Sequence, residues 1–210
     1  MPRPGKLICI GLNYVDHARE SGLEIPKEPL CFAKWPSAIV GDGDEILLPA
    51  ASRQVDYEAE LAVIIGTRAL NVSVDDALTY VSGYACFNDV SARDVQMRDG
   101  QWTRAKSFDS FAPLGPTTDA SLIPDPQSLG IRCKVNGETV QEGTTGDMIF
   151  TVAQVIAYLS RDMTLEPGDV IATGTPAGIG LAKQPPRFLS SGDVVTVEID
   201  RIGSITNRIR

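Results

Sequence analysis

Three carboxylates at alternate positions open the chemistry of this chain. In the run VDYEAELAVII, residues 55–65, side chains two apart share a face of an extended strand. Asp56, Glu58 and Glu60 therefore point one way, and Val55, Tyr57, Ala59 and Leu61 the other. Anions so close repel one another unless the face is solvated or a hard divalent cation takes oxygen ligands from two of them. Pattern alone leaves both readings open. Glu58 and Glu60 are the better ligand pair, because they lie nearer the apolar half of the run, where an unpaired anion costs more. Asp56 then stands behind the site or at its rim. A third oxygen has a candidate in Asp89, which follows the apolar strand expected over 83–87; the alternative is an Asp that caps the next turn. Carboxylates without clustered His or Cys suit Mg²⁺, Mn²⁺ or Ca²⁺ over Zn²⁺, and Mg²⁺ comes first because such a site leaves positions for water and substrate.

A base could come from His17, the one histidine of the chain. Glu20 follows three residues on, so the two side chains meet if the segment is helical, and a His with a carboxylate partner can activate water. A solvated helix face is the plainer alternative. Lys106, between apolar Ala105 and Phe108, could be partly desolvated and aimed at a substrate oxygen, and Arg93 and Gln96 could bind a carboxylate; surface placement is the alternative for each. The turn ATGTPAGIG, 172–180, offers backbone N–H groups to an anion but lacks the Gly-Lys-Ser/Thr of a nucleotide-binding loop.

These groups need a scaffold, and the pattern supplies a β-dominated one. The 19 Gly and 14 Pro in 210 residues imply many tight turns, and the length suits a single domain, 1–210. Strands are expected over 6–11, 30–35, 45–48, 55–65, 84–87, 131–135, 138–141, 170–173 and 194–199. The closing GSITNRIR reads as a last edge strand. Helices are expected over 13–20, 75–82 and 149–159, and the polar stretch 88–109 reads as a wall of the active site. A net charge of −8 without a basic cluster argues against nucleic-acid and membrane partners, and the short apolar run before Asn13 points to a cytoplasmic protein. Cys9, Cys31, Cys86 and Cys133 lie far apart and read as buried reduced thiols.

Six blocks in order carry a resemblance along nearly the whole chain: GLNYVDHARESG, VDYEAELAVIIG, GYACFNDVSARDVQ, GQWTRAKSFDSFAPLGP, VNGETVQEG and LEPGDVIATGTPAGIG. Together they resemble the fumarylacetoacetate hydrolase family, in its acylpyruvase and 2-hydroxyhepta-2,4-diene-1,7-dioate isomerase-like branch. The resemblance implies a mixed β-roll with a few short helices, a homodimer, and Mg²⁺ or Mn²⁺ held by Glu58, Glu60 and Asp89. It further implies His17 and Glu20 on a mobile lid around 13–27 as the water-activating pair, Lys106 as the catalytic lysine, and Arg93, Gln96, Gly174 and Thr175 against the substrate. Many relatives carry an extra segment ahead of the GLNY block, which here begins at Gly11. The expected reaction is hydrolysis of a carbon–carbon bond in a small 2,4-dioxo acid of the acylpyruvate or fumarylpyruvate type, by way of a pyruvate enolate. Oxaloacetate decarboxylation, isomerisation of a hydroxymuconate-type diacid and a ureidoglycolate lyase-like activity are alternatives on the same site. A non-catalytic binder of metal and diacids is the remaining class.

Overall fold

The computed structural model describes residues 3–210. Fifteen strands follow in order: β1 Leu7–Gly11, β2 Leu30–Lys34, β3 Ile39–Val40, β4 Glu45–Ile46, β5 Val55–Asp56, β6 Ala59–Ile65, β7 Val81–Asn88, β8 Ser91–Ala92, β9 Ala112–Pro113, β10 Thr118–Asp119, β11 Gly130–Val135, β12 Glu138–Thr144, β13 Val170–Ala172, β14 Val194–Ile199 and β15 Gly203–Ile209. The α-helices are α1 Val15–Glu20, α2 Arg93–Asp99, α3 Trp102–Ala105 and α4 Val152–Asp162.

Two sheets make the body. A six-stranded sheet runs β10-β7-β6-β13-β1-β2 and a five-stranded one runs β12-β11-β14-β15-β4. The alternation of β6 explains why they pack together. Ala59, Leu61, Val63 and Ile65 belong to one buried apolar cluster with Ile131, Cys133 and Val135 of β11 and Val195 and Val197 of β14. Ala62, between them, faces the other way, in a second cluster with Leu7, Cys9, Ala85, Phe87 and Ala172. β6 is thus buried on both faces, so any polar group at its end lies deep in the protein.

The Asn136-Gly137 turn closes the β11–β12 hairpin, with φ of 53° and 82°, the left-handed geometry that this pair of residues favours. Helix α4 begins later than its apolar pattern suggests. Thr151 accepts from Gln154 N while the Gln154 side chain accepts from Thr151 N, so this reciprocal cap, not Ile149, sets its start. The helix expected over 75–82 shrinks to one 3₁₀ turn, Ala77–Tyr80, because Val81 already pairs with Ile65.

Three other expectations need correction. The run 55–65 is not one strand. It breaks at Tyr57 and Glu58, so β5 pairs with β8 while β6 joins the large sheet. The closing strand is not an edge, because β15 lies between β14 and β4. Cys31, on the outermost strand β2, is exposed, whereas Cys9, Cys86 and Cys133 are buried free thiols as expected. No helix among the described residues is long and apolar enough to cross a membrane.

Candidate metal centre and active site

The break in the 55–65 run builds the site. Side chains, not a neighbouring strand, satisfy the backbone there: Glu58 N donates to Asn88 Oδ1 at 3.0 Å, and Ala59 N to Gln141 Oε1 at 2.9 Å. Asp89 N closes the other side on the Glu58 carbonyl at 2.9 Å. This bend brings one carboxylate oxygen each from Glu58, Glu60 and Asp89 within 4.8 Å of one another, all three residues buried.

Asp56 is not a rim residue. It is fully buried and accepts from Tyr57 N, Gly180 N, Leu181 N and Arg93 Nε, at 2.9, 2.7, 3.0 and 2.9 Å. It therefore fastens the acidic segment to the 178–181 turn and to α2.

Three buried cations face the acids. Lys106 Nζ, just beyond α3, donates to Glu58 Oε2 at 2.8 Å and Asp89 Oδ2 at 2.6 Å. Arg93, at the start of α2, reaches Glu58 Oε1 through Nη2 at 2.7 Å and Gln96 through Nη1 at 3.1 Å, one helical turn on. Lys34, at the end of β2, donates to Asp89 Oδ1 and to the Val90 carbonyl. The sequence reading missed Lys34, although a lone cation closing the apolar run LCFAK was a signal that it points inward.

The charges are unequal, and the inequality is informative. Burial pushes the Glu58 carboxyl up, but the Lys106 and Arg93 cations outweigh this and hold it well below the usual carboxylate range. Glu60 has no such partner. Burial, reinforced by Asp89 and Glu58, pushes its carboxyl well above the ordinary value, against the Lys106 cation, with which it makes no hydrogen bond, and one backbone donor, Gly174 N, at 2.9 Å. Burial draws the Lys106 ammonium down, yet Asp89 and Glu58 raise it above its ordinary value; Lys34 is lowered, chiefly by burial. Four carboxylates thus meet three cations, and Glu60 is the one whose charged form burial and its acidic neighbours disfavour. A divalent cation added to this set leaves one surplus positive charge, the complement of an anion. All-oxygen donors in a buried cluster fit Mg²⁺ or Mn²⁺.

The other expected residues gather on the same cavity, about 600 Å³, which His17, Glu20, Arg93, Gln96, Lys106 and Thr175 line together with the three acids. His17 is 7% exposed, so the solvated-face alternative fails, and its Nδ1 lies 3.5 Å from Glu20 Oε1. Glu20 Oε2 accepts from Gly178 N at 2.8 Å, which ties α1 to the 174–180 turn. Gly174 takes a different part from the one expected. Its φ is +95°, an added Cβ would lie 2.8 Å from Asn13 Cβ, and its N–H is committed to Glu60, so it holds a metal-site carboxylate. Packing divides the lid segment: Asn13, Tyr14, His17 and Ala18 are buried, and Asn13 bonds Phe150 and the Thr173 carbonyl, whereas 19–25 are exposed.

A β-roll that buries a three-carboxylate cluster beneath a cavity with one His–Glu pair points to a class: metal-dependent enzymes. The family model for the fumarylacetoacetate hydrolase C-terminal domain matches residues 6–210, and the chain belongs to that family. It is 48% identical over 210 residues to a human protein named oxaloacetate tautomerase FAHD2A, mitochondrial, covering 99% of this chain and 67% of that one. Among solved structures it resembles a 2-hydroxyhepta-2,4-diene-1,7-dioate isomerase from Mycobacterium marinum, at 41% identity and a TM-score of 0.87, covering 99% of this chain and 75% of the other. It also resembles a fumarylpyruvate hydrolase from Pseudomonas aeruginosa solved with Mn²⁺ and pyruvate, at 34% identity and a TM-score of 0.90, covering 97% and 88%. The chain is thus an enzyme of this metal-dependent family.

Proposed function

We propose that the chain moves a proton at the carbon beside the oxo group of a small 2-oxo diacid, as in keto–enol tautomerisation of an oxaloacetate-type substrate. The observation that carries this reading is a single base, His17, on the same cavity as the buried Glu58, Glu60 and Asp89 cluster. Proton transfer at carbon needs one base and a means of holding the enolate charge; it needs no positioned water. Identity leans the same way by a small margin, since the relative named as a tautomerase is 48% identical and the neighbours named as hydrolases 43% and 34%.

Glu58, Glu60 and Asp89 would hold Mg²⁺ or Mn²⁺, which when bound supplies a Lewis acid beside the 2-oxo acid group. His17 takes the proton. Glu20 lies against its Nδ1, which leaves Nε2 as the ring atom for the substrate. Lys106 lines the cavity beside the metal-site carboxylates and is the cation nearest to where enolate charge would gather, and Thr175 offers a hydroxyl to the substrate carboxylate. The His17–Glu20 pair also favours a second reading, in which it activates water to cleave a 2,4-dioxo acid. The homodimer implied by the resemblance belongs to the same proposal.

The test is a deuterium-exchange assay in D₂O on chelator-stripped protein, with oxaloacetate and acetylpyruvate, with and without added Mg²⁺ or Mn²⁺. Metal-dependent exchange at C3 of oxaloacetate, lost in His17→Ala, is the expected result. Pyruvate and acetate formed from acetylpyruvate without exchange on oxaloacetate would move the assignment to hydrolysis.

A further inference from the structure

Gln141 lies on β12, in the five-stranded sheet, yet its side chain ends inside the site of the six-stranded one. It is 1% exposed, and both of its amide hydrogens are used. Oε1 accepts from Ala59 N at 2.9 Å, while Nε2 donates to Thr175 Oγ1 at 2.8 Å and to the Pro176 carbonyl at 2.9 Å. The orientation is forced: Ala59 N can only donate and the Pro176 carbonyl can only accept, so the amide cannot be turned over.

The consequence falls on Thr175. This residue lines the cavity and is 2% exposed, and its Oγ1 accepts from Gln141 while donating to no group among the described residues. A hydroxyl has one hydrogen, and a donor already occupying a lone pair leaves that hydrogen for another acceptor. We propose that Gln141 is a positioning residue that fixes the Thr175 hydroxyl as a donor to the carboxylate of the substrate. Through Ala59 N it also ties that donor to the backbone between Glu58 and Glu60, so anion contact and metal ligands keep one spacing. The inference rests on the 2-oxo acid reading above, since it needs a carboxylate in the cavity.

Gln141→Glu tests it sharply. Ionised, the introduced carboxylate would still accept from Ala59 N but has no hydrogen for Thr175, so the hydroxyl turns to donate to it and is lost to the ligand; Gln141→Met, measured in parallel, removes both donors whatever the protonation of a buried Glu. The probe is pyruvate titrated into Mn²⁺-loaded protein by calorimetry, for wild type, Gln141→Glu, Thr175→Val and the double variant, with Mn²⁺ affinity and thermal midpoint measured beside it. Each single change should weaken pyruvate binding roughly tenfold or more, the loss of one hydrogen bond to a charged group. The double variant should be no weaker than Thr175→Val alone. Gln141→Met, which adds no charge, stands alone if Gln141→Glu does not fold. Additive losses, unchanged pyruvate binding, or a loss matched by equal loss of Mn²⁺ affinity and folding would overturn the role assigned to Gln141 and leave the function untouched. Wild type that binds Mn²⁺ but not pyruvate would overturn the 2-oxo acid reading, and this inference with it.

Discussion

Lys106→Met removes the cation that spans two metal-site carboxylates. Lys106 makes charge-assisted bonds of 2.8 Å to Glu58 and 2.6 Å to Asp89, and its side chain is 3% exposed. Breaking a buried ion pair by deleting one partner costs about 3–5 kcal/mol, because the remaining charge stays buried. Here each acid keeps another cation, Arg93 for Glu58 and Lys34 for Asp89, so the lower end applies, about 3 kcal/mol. For a chain of this size that is a fall in Tm of roughly 6–12 °C. A divalent ion neutralises the same carboxylates, so added Mn²⁺ should recover more than half of the loss, though not the activity. Differential scanning calorimetry of both proteins, chelator-treated and Mn²⁺-loaded, reads this directly. An equal fall with and without Mn²⁺, or a fall below about 2 °C, would refute the view that Lys106 and the metal neutralise the same charges.

Two further outcomes follow from the same electrostatics and packing. Glu60, pushed above its ordinary 4.5 by burial, binds its proton more tightly in the fold than in the unfolded chain; stability without metal should therefore fall as pH rises from 4.5 towards the folded value, and Glu58, held low, acts in the opposite direction, its contribution present above 4.5 and lost on acidification through its depressed value. Glu60→Gln should raise the metal-free Tm at neutral pH, by about 2–4 °C for each kcal/mol relieved, and abolish Mn²⁺ binding, while wild type should release about one proton per ion in calorimetry run in two buffers. Gly174→Ala forces a Cβ to 2.8 Å from Asn13 Cβ and 3.0 Å from the Ile10 carbonyl at a φ of +95°; it should cost about 1–3 kcal/mol in denaturant unfolding and weaken metal affinity by displacing the N–H that holds Glu60.

Much of this protein is written in short-range pattern. The Asn136-Gly137 turn, the apolar spacing of α4 and the alternation of β6 are local preferences, and the acids of the 55–65 run announce cation chemistry by their spacing alone. Tertiary structure alone decided which charges are buried and what they meet. Asp56, Glu58 and Glu60 look alike in the sequence, yet one anchors a turn, one is ion-paired and one is left without a bonded cation, because α2, the end of α3 and the 174–181 turn approach them from different sides. Gln141 was invisible as a site residue for the same reason, its partner Ala59 lying 82 positions away, and the run LCFAK could turn Lys34 inward but not name Asp89, 55 positions on, as its partner. A carboxylate's chemistry comes with the residue, but its protonation and its direction are set by groups that only the packing of two sheets brings together.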